Sequence, residues 1–314
     1  MKNIRVGIVG AGPMGRLHAR TVARSAEKGE QCALAVVVDH HDGRAAAVAK
    51  EFGARASSDL EGVLSELDAV IVCVPTSGHY TMSKFLLERD IDVLVEKPLA
   101  GSVADGLRID LLARERGRIL QVGHVEWYNQ GWREAAKRAG NPRSIEVERF
   151  GPPSDRGLDI DVVQDFMLHD LDWVTRFLGE EIVALEAQGR CVMNDKLDEA
   201  EANLRFSSGC RVRLRVSRVE SERRRRVRIE GSEGTVTADL LMRTGKGAEM
   251  AGNPRRDPLE AQWTDFLQSL QSRTNPISDA AVGVAALQVV ERVRESIEQS
   301  TGSLDREDDS ALRG

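Results

Sequence analysis

The stretch that decides the fold is Val6-Gly7-Ile8-Val9 running into Gly10-Ala11-Gly12-Pro13-Met14-Gly15, with Leu34-Ala35-Val36-Val37-Val38 ending on Asp39. An apolar run, three glycines at GxGxxG spacing, room for a helix, a second apolar run and a carboxylate is the layout of a dinucleotide-binding unit. Gly10 allows the tight turn off the strand, Gly12 lets the backbone approach a pyrophosphate, and Gly15 lets the helix pack close to the sheet. Pro13 suits the first helical turn, where its missing N–H is no loss. The free N–H groups of that turn, Met14 among them, and the helix dipole attract an anion. Asp39, 24 positions beyond Gly15, is placed to accept hydrogen bonds from both hydroxyls of an adenosine ribose and to repel a 2′-phosphate. His40 and His41, mostly neutral at pH 7, compensate that charge poorly. The expected cofactor is NAD rather than NADP.

The same grammar continues outward. Strands over 4–9, 33–38, 69–74, 93–95 and 119–122 alternate with helices over 13–28, 43–52, 59–67, 79–89 and 103–116. Apolar runs without alternation, separated by amphipathic helices, indicate a parallel sheet covered on both faces. Past Gly123 a helix over 130–138, a strand over 144–150, a loop over 151–160 and a helix over 161–178 lead into alternating strands over 182–193, 200–206, 210–218, 225–230 and 234–239. Consecutive alternating strands predict an open, mostly antiparallel sheet with one covered face. The polar segment 243–257 reads as a mobile loop, helices over 258–272 and 279–299 follow, and the charged tail after Ser300 is expected to fray. The predicted fold class is α/β: an N-terminal Rossmann dinucleotide-binding domain over 1–122 and a C-terminal α+β domain over 123–314 for substrate binding and oligomerisation.

A chain of 314 residues is long for one core, in keeping with two domains. It is 41% hydrophobic and 30% charged with a net charge of −6, which argues against a nucleic-acid or anionic-membrane partner. The basic run Arg223 to Arg226 lies in an alternating segment and reads as solvated or salt-bridged strand arginines. Cys32, Cys73, Cys191 and Cys210 form no CxxC and no cluster with histidine, so reduced thiols and no metal site are expected. No apolar run approaches the ~20 residues that span a bilayer, and no charged-then-apolar leader opens the sequence. A cytoplasmic protein acting on a small molecule is the expectation.

Three constellations follow the glycine turn. Val74-Pro75-Thr76 ends the strand 69–74 at the edge where open α/β sheets bind ligands. Thr76 either bonds the cofactor's ribose or phosphates or caps the following helix. Glu96-Lys97-Pro98 ends the next strand, where Lys97 can donate to a substrate hydroxyl and the nicotinamide ribose and favour a developing alkoxide. Asp165 and His169 stand at i and i+4 on one helix face. A histidine is suited to take a proton near neutral pH, and a carboxylate one turn away can orient it. His124 and Asn129, after the last strand of the first domain, either line the cleft or belong to a hinge.

The combination of GxGxxG, Glu96-Lys97-Pro98 and Asp165-x-x-x-His169, in that order over nearly the whole chain, resembles the glucose–fructose oxidoreductase/inositol dehydrogenase family. The resemblance implies hydride transfer from a ring carbinol to NAD, with Lys97, Asp165 and His169 as the catalytic group. It implies cofactor contacts from Gly10, Gly12, Pro13, Met14, Gly15, Asp39 and His40, and from Val74, Pro75, Thr76, His79, Glu96 and Lys97. Substrate contacts would come from His124, Glu126, Tyr128, Asn129, Arg156, Asp165 and His169. Residues Val122 to Asn129 and Arg156 to Asp172 further resemble nucleotide-sugar dehydrogenases that oxidise C3 of UDP-N-acetylglucosamine and feed an aminotransferase in making amino-sugar lipid A. Those relatives read GHxERFNP, where this chain has Trp127, Tyr128 and Gln130 in place of Arg, Phe and Pro, which leaves the substrate open. Arg149, Arg156, Trp127 and Tyr128 are the candidates to hold a nucleoside diphosphate. The alternatives are a dehydrogenase of inositol or a free monosaccharide, a reductase of an imine or pyrrole-type ring, and a silent NAD-binding regulator. Retention of Lys97, Asp165 and His169 together speaks against the last. Arg211, Arg213 and Arg215 alternate with Val212, Leu214 and Val216, so one face of this sheet packs on the domain's helices and the other is exposed; a homo-oligomer, dimer or tetramer, is expected through the exposed face, with Glu220, Glu222 and Glu230 as carboxylate partners.

Overall fold

A computed structural model describes residues 3–154, 159–193, 195–241 and 257–311, with side chains as far as residue 300. The chain divides into two compact units, Met1–Tyr128 with Asp257–Leu287, and Asn129–Arg256 with Gln288–Gly314.

The first unit is built on strands β1 (Ile4–Val9), β2 (Cys32–Val38), β3 (Arg55–Ser57), β4 (Ala69–Val72), β5 (Asp92–Val95) and β6 (Leu120–Val122). They pair in parallel in the order β3-β2-β1-β4-β5-β6. The order reverses between β1 and β4, so the strand ends there open a crevice for a ligand. Helices α1 (Pro13–Glu27), α2 (Asp42–Phe52), α3 (His79–Leu87) and α4 (Val103–Glu115) connect the strands. Successive residues of the central strands enter opposite cores: Val70, Val72, Val93 and Val95 one, Ala69, Ile71 and Leu94 the other. This is the two-sided burial that the unbroken apolar runs predict.

A division at residue 122 is corrected by the last quarter of the chain. Helix α7 (Pro258–Ser272) brings Trp263, Phe266, Leu267 and Leu270 into the core of Ile4, Ile8, Val22 and Leu34. The start of α8 (Ala280–Ala311) brings Ala280, Val284 and Leu287 into the core of Leu99, Ile109 and Val122. Both faces of the first sheet thus take apolar cover from the last quarter of the chain as well as from their own connecting helices. Two local readings also change. The helix expected over 59–67 is a 3₁₀ segment, Glu61–Glu66, and the edge strand β3 carries no apolar pattern that would reveal it. The segment 243–256 lies outside the described residues, and α8 continues to Ala311, past the expected end.

The second unit contains α5 (Gln130–Ala139), β7 (Pro142–Phe150), a π-helical turn over Val163–Met167, α6 (Leu168–Leu178), and strands β8 (Ile182–Arg190), β9 (Glu199–Phe206), β10 (Arg211–Ser217), β11 (Arg224–Gly231) and β12 (Gly234–Asp239). The sheet order is β12-β11-β7-β10-β9-β8, antiparallel throughout except for the parallel pair β7 and β10. Ile145, Val147, Leu204, Val212, Leu214, Val227 and Ile229 are buried, as are Trp132 and Trp173, whose rings stack with centroids 4.7 Å apart.

The alternate positions form a charge lattice. Arg213 pairs with Glu201 at 2.8 Å, Arg215 with Glu148, Arg224 with Glu148 at 3.5 Å, and Arg228 with Glu146 at 3.6 Å and Glu230 at 4.0 Å. Among the described residues the carboxylates therefore come mainly from β7 and β9, not from Glu220 and Glu222. Pairing across the ladder does this, because Glu148 stands opposite both Arg215 and Arg226 in register.

Candidate active site

At the carboxyl edge of the first unit each glycine of the turn has a distinct geometric reason. Gly10 has φ +96°, and a Cβ there would stand 2.5 Å from the Cys73 carbonyl oxygen. A Cβ on Gly15 would stand 1.9 Å from the Gly10 carbonyl oxygen. A Cβ on Gly12 would meet nothing within 4 Å and would intrude on the space before α1, where Gly12 is the N-cap and no side chain caps the helix. That open, positively polarised helix start fits a pyrophosphate. Asp39 is 7% exposed, its Oδ2 accepting from the Ala11 N–H at 2.7 Å and its Oδ1 from the His41 N–H at 2.8 Å. Each oxygen keeps a second lone pair for a ribose hydroxyl. His40 is exposed, with Nδ1 3.4 Å from Asp39 Oδ1, and Met14 is 37% exposed beside the turn. These residues fit an NAD adenosine and diphosphate.

The two later strand ends are held by buried histidines. Thr76 is buried and opens a 3₁₀ turn over Thr76–Gly78, and α3 starts without a side-chain cap, so Thr76 does not cap it. His79 places Nε2 2.9 Å from the Val74 carbonyl oxygen and Nδ1 2.6 Å from that of Pro98. Burial pushes its pKa down, against the opposing pull of the two carbonyls. His18, on the buried face of α1, places Nε2 2.7 Å from Glu96 Oε1. Burial alone would raise the Glu96 carboxyl, but the hydrogen bond and charge of His18, with Lys97 and His79, hold it below the ordinary range. The side chains of His79 and Glu96 thus satisfy buried groups of the framework, as strand ends closed over by helices require. Lys97 follows Glu96 and is half-buried, and its peptide bond to Pro98 is cis.

After β6, His124 and Glu126 are buried. The Tyr128 hydroxyl donates to Asp265 Oδ2 at 2.7 Å and accepts from Gln121 Nε2 at 3.0 Å. Burial and Asp265 push its pKa well above the usual range. Tyr128 is thus bonded within the interior of the first unit. Asn129 caps α5, its Oδ1 accepting from the Gly131 N–H at 2.9 Å. Trp127 is half-buried.

In the second unit Asp165 and His169 are both half-buried while Val163, Met167, Leu168 and Leu171 are buried. Asp165 lies in the π-turn, whose i→i+5 closure is rare and concentrated at functional sites, and His169 in the first turn of α6. Asp161, which sequence reading took as the helix start, instead caps it: Oδ1 accepts from the N–H groups of Val163 at 3.0 Å and Gln164 at 2.9 Å. Arg294 Nε holds the other oxygen at 3.0 Å. Arg149 donates twice to Asp170, at 2.8 Å each, with both side chains buried and the Trp173 indole 3.2 Å from the same carboxylate. Arg149 is thus corrected as a diphosphate contact, since the buried Asp170 requires its charge. Arg156 lies outside the described residues. Among the described residues no group of three His, Cys, Asp or Glu side chains is gathered to hold a metal, and no helix is long and apolar enough to cross a membrane.

A dinucleotide cradle with an acidic ribose acceptor, on a sheet whose next strand end carries a lysine, defines a nicotinamide-dependent oxidoreductase. Residues 4–124 match the model of the oxidoreductase family with an NAD-binding Rossmann fold, and residues 117–237 match the GFO/IDH/MocA C-terminal domain. The chain belongs to this family and its cofactor is NAD. It is 32% identical to the UDP-N-acetylglucosamine 3-dehydrogenase of Acidithiobacillus ferrooxidans over 316 residues, covering 95% of this chain and 98% of that one. A solved structure of that enzyme matches with a TM-score of 0.84 over 95% of this chain and 99% of that chain. The scyllo-inositol 2-dehydrogenase (NAD(+)) of Bacillus subtilis is 28% identical over 261 residues, 76% of this chain and 74% of that one.

Proposed function

We propose that the chain oxidises a ring hydroxyl of a sugar, and in particular C3 of UDP-N-acetylglucosamine, to the 3-keto sugar. NAD, when bound, takes the hydride from the carbinol carbon. His169 takes the hydroxyl proton as the C=O bond forms. Lys97 offers positive charge to the same oxygen while it is alkoxide-like, and Asp165 orients the imidazole or holds a neighbouring hydroxyl. The observation that supports this most is the 32% identity sustained over 95% of the chain to an enzyme of that name. A ketone product suits a downstream aminotransferase, and the setting we propose is a homo-oligomer in the cytoplasm.

A second reading, an inositol dehydrogenase, is favoured by one specific observation. Arg149 and Tyr128, two of the four candidate nucleotide contacts, are bonded inside their own units. The experiment is a screen of UDP-sugars, inositols and free hexoses with NAD, following NADH absorbance. Reduction with UDP-N-acetylglucosamine, and none with inositols or hexoses at equal concentration, supports the first reading. Turnover with inositols alone replaces it by the second, and no reduction with any of them defeats both.

A further inference from the structure

The tripeptide Glu96-Lys97-Pro98 is gripped on both sides of its lysine. On one side, Glu96 is bound by His18, which comes from the helix that starts at the glycine turn; the histidine is 1% exposed and the contact is 2.7 Å. On the other, the Pro98 carbonyl meets Nδ1 of His79 at 2.6 Å, and the same ring reaches the Val74 carbonyl at 2.9 Å. Two buried imidazoles from two helices thus tie three segments of one sheet edge together: the glycine-turn helix, the Val74 turn and the lysine turn. Neither histidine is in the proposed chemistry. A polar ring on the buried stripe of α1, beside Ala19 and Val22, is costly unless its partner matters.

We infer that His18 and Glu96 are positioning residues for Lys97, fixing the turn that carries it and placing a negative charge beside it. The inference deepens the role proposed for Lys97 above and rests on it. The charged and titratable groups that act on Glu96 are His18 from α1, His79 from α3, Lys97 on its own turn and Cys73 at the end of β4. Of these, Lys97 is the cation that stands next to Glu96 in sequence, and its charge helps to hold the carboxyl ionised.

The test reads the lysine directly. In protein labelled with [15N]lysine, the Lys97 Nζ signal, assigned by its loss in Lys97→Met, is compared at one pH in wild type and in Glu96→Gln. The expected result is a displaced or broadened signal in Glu96→Gln, as a lysine whose turn has lost its anchor gives; an unchanged signal overturns the inference. A second arm covers the case in which Glu96→Gln does not fold. With UDP-N-acetylglucosamine and NAD, His18→Leu is expected to lower kcat roughly 10- to 100-fold with little change in KM, as misplacement of a reacting group does. His18→Gln, which keeps a donor at the Nε2 position, is expected to recover most of that loss. Wild-type kcat in His18→Leu also overturns the inference. Near-normal turnover in Lys97→Met would instead sink the catalytic role of the lysine, whatever His18 and Glu96 do.

Discussion

At the scale of single residues, cofactor choice and proton transfer rest on separate side chains that can be changed separately. Asp39 is drawn onto the Ala11 amide, so its charge is held beside the glycine turn. The double variant Asp39→Ala, His40→Arg removes that charge and supplies a phosphate partner. Its ratio of kcat/KM for NADP over NAD is expected to rise at least tenfold, and an unchanged ratio would show that Asp39 does not discriminate. Lys97→Ala and His169→Ala should each lower turnover by ~10²–10⁴ while NAD affinity, measured by calorimetry, stays within a few-fold. Turnover close to wild type in His169→Ala would mean that another group takes the proton. The glycine turn was legible because residue type and spacing carry its chemistry; Lys97, Asp165 and His169 were picked out on the same ground, and their roles stand as proposals. The framework bonds of Glu96 and His79 were not legible, because their partners, His18 and the Pro98 carbonyl, are 78 and 19 residues away in sequence.

At the scale of elements, the π-turn and α6 depend on two buried charges. Asp170 holds Arg149 by a bidentate contact in which both partners are almost wholly buried, so Asp170→Ala strands a guanidinium in the core. A loss of about 3–5 kcal/mol is expected, read as a lowered denaturant midpoint with an unchanged slope. A loss below ~1 kcal/mol would mean that the arginine finds water. Periodicity alone gave the helix over 161–178 but not its π-turn, because Val163 to Met167 have no composition that distinguishes i→i+5 from i→i+4 closure. Both sheets were readable from run length and alternation. The strand over Arg55–Ser57 was not, since an edge strand of three polar or small residues has neither pattern.

At the scale of the whole molecule, the charge lattice of the second sheet is the surface through which we propose that the chain self-associates. Rows that alternate acid and base across β9, β10, β7 and β11 are self-complementary under a two-fold axis, and arginine is well tolerated in such contacts. We expect light scattering at micromolar concentration to give at least a dimer, and Arg213→Glu with Arg215→Glu to give monomer. A monomeric wild type would defeat this. The first unit has a different consequence, which concerns how it is made. Its sheet is complete by Val122, yet Trp263 and Phe266, which close one core, and Val284, which joins the other, are encoded far downstream. On a ribosome, the newly made Rossmann half waits on the order of ten seconds with its apolar faces incompletely covered. Such a half is a client for chaperones and a poor excised module. A fragment ending at Tyr128 should aggregate when produced alone and gain solubility when residues 257–287 are co-expressed. A monodisperse, NAD-binding 1–128 fragment would show that α7 and α8 are dispensable covers.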